Sequence, residues 1–169
     1  MFMEAHDLNC AIKDLLTFPC YNALYNMTVL VLRLLVDFGL VILIWLTQLI
    51  IYPAFVQMDA KQLQSWHPTY NRMITIIVAP LMFAQLVAVI WQIVQEASLL
   101  PIASLLLVIA AWVITFLQAV PKHQNITEGL AVSQSAMQLV NINWRRTAVW
   151  SLVFLLSLYE MLVLRLAYE

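Results

Sequence analysis

The sequence predicts an all-α integral membrane protein, a bundle of four transmembrane helices. Three observations carry that expectation: four long apolar runs, a scarcity of charge, and few glycines. Of the 169 residues, 64% are hydrophobic and 10% are charged, against roughly 45–50% and about 25% in soluble domains. A soluble chain of this size cannot hide so much apolar surface in one core, so much of it faces lipid. Two glycines and six prolines do not suit a turn-rich barrel, whose strands read as short segments of alternating polarity.

The runs span 27–52, 73–94, 99–120 and 147–167. At the rise of an α-helix they measure about 31–39 Å, enough to cross a hydrocarbon core with some tilt. Pro53 closes the first run and Pro121 the third. Residues 1–26 precede the first span as a polar tail. Its start is acidic and lacks an apolar block, so it does not read as a signal peptide. Cys10 and Cys20 both lie there, and two free thiols are the expected state.

Only residues 95–98 separate the second and third runs, so those helices must be antiparallel neighbours. The segments 53–72 and 121–146 are far longer and are expected as loops on one side of the membrane. That side carries Lys61, Arg72, Lys122, Arg145 and Arg146, and the other Lys13, Arg33 and Arg165. The bias places the long loops in the cytoplasm and both termini outside. Within the second loop, Leu130, Ser133, Met137, Val140 and Trp144 recur at helical spacing, predicting a separate interfacial helix that caps the bundle. A net charge of −1 offers no field for nucleic acid.

The two halves are faintly alike. Trp45, Gln48 and Pro53 close the first span as Trp112, Gln118 and Pro121 close the third, and Arg72 and Arg146 open the second and fourth. A repeat of this kind would be two parallel hairpins related by an axis along the membrane normal.

Polar residues gather at one end of the bundle. Gln48 and Gln118 each lie about a turn inside a boundary proline, and an amide at that depth needs a partner, joining helices or lining a cavity. His67 and His123 occupy corresponding segments. Packed side by side, the hairpins would bring the imidazoles together, as a metal or haem site or a general base. No H-E-x-x-H or C-x-x-C spacing supports a metal, and solvated histidines are the simpler expectation. Arg72, Arg145 and Arg146 read individually as headgroup anchors. Together His67, Arg72, Gln118, His123, Asn143 and Arg146 are the expected ligand-binding set. Deeper in, Arg33 and Asp37 are spaced i,i+4, an arrangement that neutralises a carboxylate inside the membrane. Glu160 and Arg165 sit at similar depth on the last helix, predicting an ion-pair network between the first and fourth helices.

Gln48, Tyr52 and Pro53, then His67, Tyr70 and Arg72, Pro80 and Met82, Gln118, Pro121 and His123, and finally Asn143, Trp144, Arg146 and Thr147 carry a family resemblance. Across residues 30–155 the chain resembles a group of uncharacterised small bacterial four-helix integral membrane proteins. More distantly, in size and helix count, it is similar to the anthrone-oxygenase-like membrane family. The resemblance implies a bacterial inner-membrane protein with a shared polar site, and leaves any cofactor unknown. Two functions compete. One is a small membrane enzyme or binder of a quinone, polyketide or lipid-like molecule, drawn from the polar cluster at the mouth of an apolar bundle. The other is an accessory subunit packed into a larger membrane complex or a homo-oligomer, drawn from the small extramembrane mass.

Overall fold

A computed structural model describes residues 18–95 and 97–167, with side chains from 27 to 163 apart from position 96. Four antiparallel helices make up these residues. Helix α1 runs unbroken through Phe18–Leu46, a π-helical turn Thr47–Ile51, and Tyr52–Gln57. Helix α2 is Ala60–Gln95, and α3 runs through Leu99–Ile114, a second π-helical turn Thr115–Ala119, and Val120–Glu128. Helix α4 is Val132–Ala167. Each helix packs on the next and α4 closes on α1, with α1 and α3 diagonal across the bundle.

Each helix contains an apolar stretch with mean hydropathy between 1.4 and 2.5, of which only 17–28% is buried against the rest of the protein. The remainder faces outward as a belt that includes Leu35, Ile42, Ile77, Val87, Leu106 and Leu155. In water such a surface would aggregate; in a bilayer it is solvated by acyl chains. The protein is therefore a four-helix membrane protein. Cys10, and the side chains of Cys20 and Arg165, lie outside the described residues, as does any pairing between the cysteines.

The structure corrects the sequence-based picture of the connections. The expected long loops are helix. Segment 53–72 completes α1 and opens α2 around a turn at Met58 and Asp59, and 121–146 completes α3 and opens α4 around Gly129–Ala131. The separate capping helix is the first third of α4, and α1 already begins at Phe18, inside the expected tail. The reason is how the helices absorb their prolines. Pro53 and Pro121 lack the N–H that an α-helix needs. Each follows a π turn, in which the hydrogen-bond ladder shifts by one residue and no bond to the proline is required. Thr47 and Thr115 mark the starts, each donating from Oγ1 to the carbonyl four residues back, Leu43 at 2.8 Å and Ala111 at 2.7 Å. This threonine, six residues before a proline, is the register in which the halves correspond. Gln48 and Gln118 do not correspond.

At 36 residues each, α2 and α4 are about 54 Å long, well beyond a hydrocarbon core of about 30 Å. The surplus forms a helical cap with its own core, in which Phe55, Leu63, Ile126, Ala136 and Leu139 are buried. Asp59 caps α2, its Oδ2 accepting from the Lys61 N–H at 3.0 Å. Gly129 ends α3 in the left-handed region at φ 76°, letting the Leu130 N–H reach the Asn125 carbonyl at 2.7 Å, the closure that glycine favours.

Candidate functional site

Two polar layers interrupt the apolar interior. The first lies toward the chain termini, where Arg33, fully buried, meets Asp37 at 3.5 Å and Glu160 at 2.8 Å. Gln92 also accepts from Arg33. The Arg33–Asp37 contact expected from spacing is present, and the closer carboxylate is Glu160 on α4. Asp37 in turn accepts from Gln85 at 2.6 Å, and Gln85 accepts from the Trp150 indole at 3.1 Å. Gln85 stood in the sequence as a lone amide in an apolar run, a legible sign of a buried partner.

The second layer lies where the bundle meets its cap. The Tyr52 hydroxyl is 2.9 Å from His123 Nε2, and His123 Nδ1 is 2.9 Å from His67 Nε2. His67 Nδ1 lies 3.0 Å from Thr127 Oγ1, which donates to the His123 carbonyl at 3.1 Å. The imidazoles are nearly parallel, 5.1 Å between centroids, and Phe55 packs edge-on against His67 at 5.8 Å. These histidines are not solvated loop residues: His67 is fully buried. Their facing nitrogens bond each other rather than converging on one point. Among the described residues no group of three or more His, Cys, Asp or Glu is placed to hold a metal.

Beside the histidines, Asn143 donates to Gln48 Oε1 at 3.0 Å and accepts from Arg146 Nη1 at 3.2 Å. Arg146 is 8% exposed, and its guanidinium lies 5.1 Å from the centre of the Trp150 ring. Its Nε has no hydrogen-bond partner, and no carboxylate pairs with it among the described residues. It faces the Tyr52 hydroxyl and forms part of the wall of a cavity of about 180 Å³.

That cavity descends from Tyr52, His123 and Arg146 into the apolar bundle, past Ile44 and Met82. Thr75 on α2 and Phe116 on α3 line it and are also exposed. Helix α2 packs on α3 on either side of this level but makes little contact with the π turn Thr115–Ala119. The cavity thus opens sideways toward lipid, between α2 and α3.

Of the six residues expected to bind a ligand, His67, His123, Asn143 and Arg146 gather in this layer; His123 and Arg146 line the cavity, and His67 and Asn143 stand behind them, bonded to His123 and Arg146. Gln118 does not join them: it is only partly buried, outside the cavity, and accepts from the exposed Arg145 at 3.3 Å. Arg72 is exposed and also outside the cavity. Both were placed by analogy between the halves, and side-chain direction on a helix follows a period of 3.6 residues rather than loop order. Thr127 went unrecognised, although its position four residues after His123 puts the two on one face.

Comparison with family models, with curated proteins and with solved structures finds no match for this chain.

Proposed function

We propose that the protein binds, within the membrane, a lipophilic molecule whose head is a single oxygen-bearing ring, of the quinone or phenol class. The observation that carries this is Arg146. A guanidinium buried without a carboxylate costs several kcal/mol. Here it forms part of the wall of a cavity that lipid can reach, with no carboxylate paired to it among the described residues. A phenolate or quinone oxygen would offset that cost through a charge-assisted hydrogen bond. The size of the cavity supports a ring: a cavity of about 150 Å³ takes benzene, and this one is about 180 Å³. Tyr52, Tyr70, Phe116 and Trp150 supply aromatic walls. An alkyl tail would leave through the gap between α2 and α3. By the charge bias, the capped end that holds the head faces the cytoplasm.

The test is native mass spectrometry and titration in nanodiscs, using a decyl-benzoquinone, an alkyl-nitrophenol and decylbenzene as probes. The two oxygenated probes should bind and the hydrocarbon should not. Arg146→Met should weaken the nitrophenol by about 10–100-fold, the scale of a hydrogen bond to a charged group. Equal binding of decylbenzene, or no effect of Arg146→Met, would overturn the reading. Stoichiometric recovery of a large membrane partner seated over α2 and α3 would favour an accessory subunit instead.

A further inference from the structure

We propose that Tyr52, His123, His67 and Thr127 form a proton wire between the head group in the cavity and water at the end of the cap. The inference rests on the cavity being a ligand site, as proposed above, and adds what that site does: it exchanges protons with the bound head.

The direction of the wire follows from one hydrogen bond. We assign the Thr127 hydroxyl proton to the His123 carbonyl four residues back, 3.1 Å away, the bond that Thr47 and Thr115 make in their own turns. Toward His67 Nδ1 it can then only accept, so His67 carries its proton on Nδ1. His67 Nε2 is therefore an acceptor, and His123 donates to it from Nδ1. His123 Nε2 is in turn an acceptor, and Tyr52 donates its phenolic proton to it. Every bond points from the cavity toward Thr127. Both imidazoles are neutral in this order, and the guanidinium of Arg146 opposes a resident positive charge on His123.

The ends of the chain differ in surroundings. Tyr52 lines the cavity, whereas Thr127 is exposed at the close of α3. Between them His67 is fully buried, with the Phe55 ring edge-on against it at 5.8 Å, and His123 is partly buried. Burying the His67 imidazole is costly for packing alone.

One passage balances as follows. The ligand hydroxyl gives its proton to the Tyr52 oxygen as the Tyr52 proton moves to His123 Nε2. The His123 Nδ1 proton moves to His67 Nε2, the His67 Nδ1 proton to Thr127 Oγ1, and the Thr127 hydroxyl proton to water. One proton leaves the ligand, one reaches water, and both imidazoles exchange tautomers. Transfer in the reverse direction restores them. The ligand is left as a phenolate on Arg146.

A pH jump on the alkyl-nitrophenol bound in nanodiscs, followed by stopped-flow absorbance of the nitrophenolate, tests the wire. His67→Gln is the informative variant, because its amide can keep a donor and an acceptor in place but does not relay a proton as imidazole does. Tyr52→Phe removes the cavity end. In the unsubstituted protein the bound probe should titrate in one fast phase. In both variants that phase should slow at least about 10-fold with the probe still bound, a barrier increase of roughly 1.4 kcal/mol. An unchanged rate in His67→Gln with intact, Arg146-dependent binding would overturn the wire and leave the cavity reading standing. Absence of probe binding to the unsubstituted protein would overturn both.

Discussion

Replacing Arg33 with methionine tests the buried ion-pair layer. The Arg33 side chain is fully buried, Asp37 is equally so, and Glu160 is 13% exposed. At separations of 3.5 and 2.8 Å and an effective dielectric near 20, the attractions are about 5 and about 6 kcal/mol before desolvation is charged against them. Removing the shared cation strands two carboxyl groups, and breaking a buried pair from one side costs about 3–5 kcal/mol. Thermal unfolding in mild detergent should move down by on the order of 10 °C. Because Arg33 serves both acids, Arg33→Met with Asp37→Asn should recover only part of the loss, and adding Glu160→Gln most of it. A loss for Arg33→Met below about 1 kcal/mol would refute the reasoning, since an energy so small is that of an exposed pair. So would strictly additive losses across the series, because coupled residues do not behave independently.

Further outcomes follow from single contacts. Asn143→Leu removes the partner of both Gln48 and Arg146 and should cost about 1–3 kcal/mol through the stranded polar atoms, read by the same melts. Trp150→Phe keeps a ring beside Arg146 but strips the donor from Gln85; it should destabilise by about 1–2 kcal/mol, read by the same melts. Gly129→Ala forces a side chain into the left-handed region next to the Gln64 amide and should cost about 1 kcal/mol, whereas Gly129→Asn, which tolerates that region, should melt closer to the unsubstituted protein.

The fold was legible because hydropathy and length act along the chain. Four runs long enough to cross a bilayer admit few arrangements, and the tight connection after Gln95 makes α2 and α3 neighbours. Helix ends were misplaced because polarity was taken for loop. Residues 60–70 are helical but polar on their outer face, and nothing in their composition separates a helix in water from a loop; the helical spacing of 130–144 was readable, but not that this helix runs on into the last span. The prolines were taken as terminators, and only the threonines six positions earlier hint at the π turns that absorb them. Within the site, His67, His123, Asn143 and Arg146 could be gathered by topology. Gln118 and Arg72 could not be excluded without knowing which way each helix is turned about its axis. The lateral opening was invisible in the sequence, because it depends on α2 standing off from the π turn of α3.

Photolabelling tests the central claim most directly. A decyl-benzoquinone carrying a diazirine on its tail next to the ring, irradiated in nanodiscs with the protein and mapped by peptide mass spectrometry, reports where the head resides. The label should concentrate on α2 between Ile74 and Met82 and on α3 between Thr115 and Val120. It should be displaced by unlabelled decyl-benzoquinone but not by decylbenzene, and should be lost in Arg146→Met. Labelling spread evenly over outward-facing residues such as Leu35, Leu106 and Leu155, unchanged by competitor or by Arg146→Met, would contradict a ligand site in this cavity.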